Sequence, residues 1–197
     1  MKIGEARTVY NVQLESYNSK KCELAKQQKE LENKIKTTEN GAKIYENEAA
    51  QLELSYRAVS EKYEEYRDYM EKLTQQWEAK FQEITCRENS EAAEEGMNEL
   101  GKIMEVARRL MKGDIVPPSD EKKLAEYDDK LYQMAKNAQM MAQVKKRKEH
   151  KSLWDDEEPR EQQDPVEVAE NEEAFAEGPE IVSVEDTLAS VSEINGE

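Results

Sequence analysis

The feature that most constrains this chain is a regular alternation of three- and four-residue steps between apolar residues, in a stretch without proline. No proline occurs before Pro117. The first stripe consists of Ile3, Tyr10, Leu14, Tyr17, Leu24, Leu31 and Ile35, and the second runs from Tyr45 through Val59, Tyr66 and Leu73 to Trp77. This spacing places apolar residues in a narrow band along one helix face. The pattern therefore predicts long α-helices that pack along a seam.

The stretch KTTENGAKIY, residues 36–45, separates the two stripes. Asn40 and Gly41 favour the left-handed conformation that ends helices, and Thr37 and Thr38 are poor helix formers. Against a turn, the seven-residue register continues through the stretch, so one unbroken helix is the alternative. We favour a turn near 37–41, which makes residues 1–88 a long helical hairpin.

A second hairpin is predicted over residues 89–154. The stripe breaks at Asn89-Ser90, and Ser90 with the acidic residues that follow is typical of a helix start. A loop is predicted at 113–119, followed by a single helix with a predicted buried face. The new stripe before the loop is Ala93, Met97, Leu100, Met104, Ala107 and Met111, and the face after it is Leu124, Tyr127, Leu131, Met134, Ala138 and Met141. The predicted fold class is all-α: elongated helical hairpins forming a coiled-coil-like bundle of about four helices.

Charge separates the end of the chain from the rest. The formal net charge is −16, yet residues 1–154 carry 28 basic and 29 acidic residues. Residues 155–197 carry 16 acidic residues and one base, Arg160. A segment with few apolar residues and high net charge is typical of disorder. We therefore predict a disordered acidic tail over 155–197.

An apolar pattern near the end of this tail predicts a docking segment at 180–194. Ile181, Val184, Leu188 and Val191 share one helical face, and Ser183 with Asp186 resembles a capping box. Short amphipathic segments on acidic linkers often bind partner proteins. The alternatives are an accidental pattern and a segment that folds back on its own body.

Methionine is concentrated between positions 97 and 141, which hold six of the eight in the chain. Methionine is adaptable and recurs on promiscuous binding surfaces. Most of these residues lie on the predicted stripes, so core packing is the favoured interpretation. Met140 lies beside its stripe and is the candidate for an exposed partner contact.

A basic run, Lys145, Lys146, Arg147 and Lys148, precedes the acidic tail. It has three interpretations: cations at a helix C-terminus, a surface for nucleic acid or another polyanion, and a nuclear targeting signal. The acidic tail would repel a phosphate backbone. We favour the first interpretation, and nucleic acid is a disfavoured partner.

The motifs of common catalytic and metal sites are missing from the sequence. His150 is the one histidine, no Cys-x-x-Cys or Gly-x-Gly occurs, and Cys22 and Cys86 lie off the stripes. We predict no enzyme activity, no catalytic residue, no metal ligand and no cofactor. No apolar run reaches the length of a membrane span, and free thiols suit a reducing compartment, so we expect no membrane span and a cytoplasmic location.

These observations predict a non-catalytic coiled-coil adaptor or scaffold that mediates protein–protein interaction or self-association. One alternative is a chaperone-like export or assembly helper that holds a partner's helix. A further alternative is a nucleic-acid-associated factor that uses residues 145–148.

Overall fold

We describe the fold from a computed structural model, which covers residues 1–142, 147–157 and 159–194. Within these residues the regular structure is helical, with only isolated β-bridges besides, so the predicted all-α class is confirmed. The helices are α1 (Ile3–Thr37), α2 (Gly41–Ile44), α3 (Glu46–Met111), α4 (Pro118–Tyr127), α5 (Asp129–Met141), α6 (Pro165–Asn171) and α7 (Val184–Ile194). No helix of this described part combines the length and the apolar character that crossing a bilayer requires.

The chain turns between α1 and α3. α1 ends at Thr37, Thr38 is extended, and Asn40 adopts the left-handed conformation with φ of 57°. Gly41 is required here because a Cβ atom at this position would lie 2.9 Å from the Cα of Ile35. These are the residues whose conformational preferences predicted a turn.

The chain divides into two units, one formed by Met1–Ile84 with the described residues from Asp164 onward, the other by Thr85–Gln163. In the first unit α1 packs antiparallel to α3. The Arg7 guanidinium near the start of α1 lies 5.1 Å from the ring of Trp77. Lys21, farther along α1, pairs with Glu64, which comes earlier in α3, at 3.6 Å.

The core of the first unit follows a seven-residue repeat, as the stripes predicted. The buried residues that share this repeat are Ile3, Tyr10, Tyr17, Leu24 and Leu31 in α1, and Val59, Tyr66 and Leu73 in α3. A repeat of seven keeps one face of each helix against the other over many turns. Three of these eight residues are tyrosines, and their hydroxyl groups need polar partners.

α3 is one helix where the sequence predicted two. It continues without interruption through Asn89 and Ser90 to Met111. The apolar face changes its position around the helix after Ile84, and Ile103, Val106 and Leu110 are buried in the second unit. A change of face does not end a helix when no proline interrupts the backbone hydrogen bonds. The predicted boundary between residues 88 and 89 therefore falls inside α3.

The predicted single helix after the loop is two helices, α4 and α5. Asp128 lies between them in an extended conformation, and its side chain accepts a hydrogen bond from the Leu131 N–H at 3.1 Å, which starts a new helix. This break changes which residues face the core. Tyr127, Met134 and Met141 are exposed, contrary to the predicted buried face, and Leu124 and Ala135 are buried.

The predicted disordered acidic tail is instead folded in both units over the residues described. In the second unit, Arg160 pairs with three carboxylates on successive turns of α3, those of Glu88, Glu91 and Glu95. In the first unit, α6, an extended stretch and α7 follow one another along the hairpin. Composition predicted disorder because it counts every charge, whereas the acidic side chains of this region mostly face solvent and only a few apolar residues are buried.

Candidate peptide-binding cleft

Four tyrosines of the first unit form one aromatic cluster between α1 and α3, which we name the tyrosine cleft: Tyr10, Tyr17, Tyr66 and Tyr69. The ring centroids of Tyr10 lie 5.7 Å from Tyr66 and 4.8 Å from Tyr69, and the ring of Tyr17 lies 5.4 Å from Tyr66. All four side chains are buried. The seven-residue step from Tyr10 to Tyr17 and the three-residue step from Tyr66 to Tyr69 keep each pair on one helix face.

The hydroxyl groups of the tyrosine cleft contact the C-terminal segment, residues 172–194. The Tyr69 hydroxyl donates to the carbonyl oxygen of Ala176 at 2.9 Å, and the Tyr10 hydroxyl donates to that of Pro179 at 2.7 Å. Each partner atom belongs to the peptide backbone. The contacts therefore do not depend on the identity of the side chain at the residue contacted.

Tyr66 and Tyr17 continue this pattern toward α7. The Tyr66 hydroxyl donates to the carbonyl oxygen of Glu180 at 2.9 Å and accepts from the Val182 N–H at 2.9 Å. The Tyr17 hydroxyl lies 3.0 Å from the carbonyl oxygen of Val182 and 2.7 Å from Oγ1 of Thr187. Buried backbone groups need hydrogen-bond partners. Here phenol groups supply the hydrogen bonds that a neighbouring strand supplies in a β-sheet.

Gly178 makes this close approach possible. A Cβ atom at this position would overlap the hydroxyl oxygen of Tyr10 and lie 2.8 Å from Cε1 of Tyr69. Any other residue would push the segment away from the two rings. The cleft is therefore selective at this one position, although it is indifferent to side chains at the hydrogen-bonded ones.

The N-terminal end of the C-terminal segment is held by further backbone contacts. The Gln76 side chain donates to the Glu173 carbonyl at 2.8 Å and accepts from the Phe175 N–H at 3.0 Å. The N–H of Ile3 donates to the carbonyl of Glu172 at 2.9 Å. Together with the tyrosine contacts, these bonds hold residues 172–183 as a non-helical stretch against the hairpin.

α7 packs on the hairpin with the face that predicted a docking segment. Val184 and Val191 are each 8% exposed, Leu188 packs against the core, and Ile181 is exposed. One of the two bonds of the predicted capping box is present, since the Asp186 N–H donates to Oγ of Ser183 at 3.0 Å. The Asp186 carboxylate accepts from the Ser183 hydroxyl at 2.7 Å. Of the interpretations the sequence left open, the described structure has the one in which the segment folds back on its own body.

Burial raises the pKa of three tyrosines in the cleft. For Tyr10, Tyr17 and Tyr69 the largest cause is removal of the phenol from water, which disfavours the phenolate. The hydrogen bond with Thr187 partly offsets this effect on the pKa of Tyr17. The hydroxyl protons that the segment needs are therefore retained to higher pH than in free tyrosine.

The methionines predicted to be mainly core are exposed. Met140 is 77% exposed, as expected of the candidate contact residue. The others are also on the surface: Met97 at 75%, Met104 at 52%, Met111 at 37%, Met134 at 63% and Met141 at 81%. The second unit therefore presents more apolar surface than the sequence predicted.

The basic run is only partly described. Lys145 and Lys146 lie outside the described residues, and Arg147 and Lys148 are exposed. The Lys148 carbonyl accepts from the Ile115 N–H at 2.8 Å, and His150 pairs with Asp114 at 3.0 Å. The His150 contact lowers the pKa of Asp114. The backbone contact of Lys148 and the side-chain contact of His150 thus hold residues 148–150 against the loop between α3 and α4.

The tyrosine cleft is the site that sequence reasoning missed. The stripes identified its tyrosines as seam residues whose hydroxyl groups need partners, but not the partner itself. A usable signal was Gly178-Pro179, which precedes the docking pattern in an otherwise glycine-poor region. Within the described residues no group of three or more His, Cys, Asp or Glu side chains is arranged to hold a metal ion.

Comparison of this chain with protein-family models, with curated proteins and with solved structures finds no match.

Proposed function

We propose that this protein is a non-catalytic adaptor that binds extended peptide segments in the tyrosine cleft, with its own C-terminal segment as the resident ligand. One observation carries the proposal: the four tyrosine hydroxyls contact backbone atoms of the segment. Since every peptide has these backbone atoms, a segment of a partner protein can replace the resident one. Binding of the partner then requires release of residues 172–194.

The cleft defines the kind of segment that it would accept. The position that faces Tyr10 must be glycine, because no side chain fits there. Aliphatic residues equivalent to Val184, Leu188 and Val191 would cover the hairpin. Acidic residues are tolerated elsewhere, as Glu177 and Glu180 are exposed. The expected ligand is an acidic, extended segment with one glycine, followed by a short amphipathic helix.

Two features support the coiled-coil-like scaffold and the cellular compartment that we propose for this function. The seven-residue repeat of buried residues in α1 and α3 supports coiled-coil-like packing as the scaffold that aligns the tyrosines. Cys22 and Cys86 are exposed free thiols, which suit the reducing cytoplasm. We therefore place the adaptor in that compartment.

The test is a displacement experiment with full-length protein. In the Gly178→Val variant, the new side chain should detach the resident segment and open the cleft. A fluorescently labelled peptide of residues 172–194 should bind this variant at least about tenfold more tightly than it binds the wild type, measured by fluorescence anisotropy. In the wild type, the resident segment is tethered to the cleft and competes with the labelled peptide at a high effective concentration.

Two controls make this result specific. The labelled peptide carrying the same Gly178→Val change should bind neither protein. A Tyr66→Phe change added to the opened variant should weaken binding about three- to tenfold, because one hydroxyl contributes about 1 kcal/mol. Equal binding of both peptides, or no binding to the opened variant, would contradict the proposal.

A second candidate function is that of a chaperone-like holder for a partner's apolar helix. The exposure of Met134, Met140 and Met141 on α5 favours it, because methionine surfaces adapt to varied partners. This function would depend on α5 and not on the tyrosine cleft. The two candidates therefore differ in the residues that they require.

A further inference from the structure

The second unit has an exposed apolar face on α3, which we name the methionine stripe: Met97, Leu100, Met104 and Met111. These side chains are 75%, 42%, 52% and 37% exposed. They follow three-, four- and seven-residue steps, so they form one line along the helix. Ile103, Val106 and Leu110 occupy a neighbouring face and are buried against α4 and α5. α3 is therefore apolar on two faces in this unit, and the described residues cover only one of them.

An open groove lies along the methionine stripe. Its walls include Met104, Ala107, Arg108 and Met111, at positions i, i+3, i+4 and i+7, with Leu131 of α5 beside them. Four residues at these positions form the hole into which a side chain of a second helix inserts in coiled-coil packing. The groove therefore has the shape of a site for one protruding side chain of another helix.

We infer that a second copy of this chain occupies the groove, through antiparallel pairing of the two α3 helices. A two-fold axis beside Gly101 would set Met97 of each copy opposite position 105 of the other. There Gly101, Met104, Glu105 and Arg108 line the same groove, also at positions i, i+3, i+4 and i+7. Met97 is the most exposed residue of the stripe and is unbranched, so it can enter a shallow hole. A two-fold interface uses the same patch twice, and both the protruding side chain and the groove lie on this one helix.

Charge complementarity selects this partner and this direction. Glu94, Gly101 and Arg108 lie seven residues apart along one edge of the stripe, and all three are exposed. Antiparallel pairing about Gly101 would set Glu94 of one copy against Arg108 of the other, and the symmetry gives two such pairs. A parallel pair would set Glu94 against Glu94. Arg108 already pairs with Glu105 in its own helix, but a guanidinium has five N–H groups and can serve both carboxylates.

Gly101 allows the helices to approach at the axis. A Cβ atom at this position would meet no other atom within 4 Å, so the surface beside it is open. Glycine in the interior of an exposed helix is unfavourable for helix formation. Close contact between the Gly101 residues of two copies would account for glycine at this position. The contacts within a single chain do not account for it.

The first experiment measures the mass of the full-length protein against concentration, by sedimentation equilibrium. We expect a reversible dimer, and we expect Met97→Glu and Met104→Glu each to raise its dissociation constant at least about tenfold. Met140→Glu is the matched control, since Met140 is equally exposed but lies on α5, and it should leave the dimer unchanged. A protein that stays monomeric up to about 200 µM, or a dimer indifferent to Met97→Glu and Met104→Glu, would overturn the inference.

The second experiment tests the direction of pairing. In a Cys22→Ser, Cys86→Ser background, Gly101→Cys should form a disulfide-linked dimer on mild oxidation, because position 101 faces itself across the axis. Ala93→Cys is the matched control: in antiparallel pairing the two copies of position 93 are far apart, whereas in a parallel pair they would meet. A parallel pair would cross-link through both positions, so cross-linking through position 93, with or without cross-linking through 101, would refute the antiparallel arrangement. Arg108→Glu should weaken the dimer, and adding Glu94→Arg should restore it.

Discussion

Tyrosine serves two purposes in the tyrosine cleft because its ring is apolar and its hydroxyl is polar. The rings of Tyr10 and Tyr66 pack against aromatic neighbours, while their hydroxyls bind the backbone at Pro179 and Glu180. Phenylalanine would keep the ring contacts but leave these carbonyl groups without a donor. Burial in the first unit and recognition of the C-terminal segment therefore depend on different atoms of the same residues.

This chemistry predicts that the first unit becomes less stable at alkaline pH. Burial raises the pKa of Tyr10, Tyr17 and Tyr69 above the ordinary value of 10.0, so the folded state favours the protonated phenol. Stability from this source is fully present below that value, and it is lost as the pH rises through the higher pKa of the folded state. The free energy of unfolding should therefore decrease as the pH rises above the ordinary tyrosine pKa of 10.0.

Urea denaturation at stepped pH, with tyrosinate absorbance recorded in parallel, measures this effect. Tyr10→Phe should reduce the pH dependence, because the residue no longer titrates. A free energy of unfolding that is the same at about pH 9 and about pH 11 would contradict the prediction.

At the scale of elements, one buried carboxylate connects α4 to the segment that follows α5. Asp120 is fully buried, and its oxygens accept hydrogen bonds from Oγ of Ser152 at 2.6 Å and from the Leu153 N–H at 3.1 Å. Trp154 follows and donates its indole N–H to Glu99 on α3 at 2.6 Å. Asp120 thus positions a non-helical segment across the helices of the second unit.

We expect Asp120→Ala to lower the free energy of unfolding of the second unit by about 2–3 kcal/mol, because it leaves buried donors without an acceptor. Urea denaturation followed by Trp154 fluorescence measures this, with Trp77→Phe so that Trp154 is the sole tryptophan. Ser152→Ala, which removes one partner and keeps the carboxylate, should cost about 1 kcal/mol. A change of less than about 0.5 kcal/mol for Asp120→Ala would show that the carboxylate does not stabilise this segment.

At the scale of the whole molecule, the end of the chain is part of the first unit. Residues 164–194 contribute α6, the extended stretch and α7 to that unit. Val184 and Val191 are among its buried residues, and Leu188 packs against its core. The region with the largest charge excess is therefore also a region that completes a core.

Removal of residues 164–197 should destabilise the first unit by at least about 2 kcal/mol, since one fully buried aliphatic side chain contributes about 1.5–3 kcal/mol. Thr85–Gln163 keeps all of its own contacts, so we expect its unfolding to change less. Thermal unfolding followed by Trp77 fluorescence in a Trp154→Phe background reports the first unit, and the reverse background reports the second. Full-length Gly178→Val should shift the Trp77 transition in the same direction; an unchanged Trp77 transition in the shortened chain would contradict the prediction.

The spacing of apolar residues is sufficient to predict the seam between α1 and α3. The seven-residue repeat that contains Tyr10, Tyr17 and Tyr66 is a local property, because the side chains of a helix recur on one face whatever packs there. The turn at Asn40-Gly41 and the N-cap at Ser183 are also local, since they depend on the conformational preferences of a few neighbouring residues.

What covers the seam, and where the helices continue or break, depends on tertiary packing. A helix break was predicted at Asn89, but packing outweighs the weak local preference and α3 continues there. One continuous helix was predicted across Asp128, but its capping bond starts a new helix. The partners of the tyrosine hydroxyls lie more than 100 residues away along the chain, and composition gave no sign of them. Hydrogen bonds between such distant groups depend on the arrangement of the chain in space, which the period of a helix does not encode.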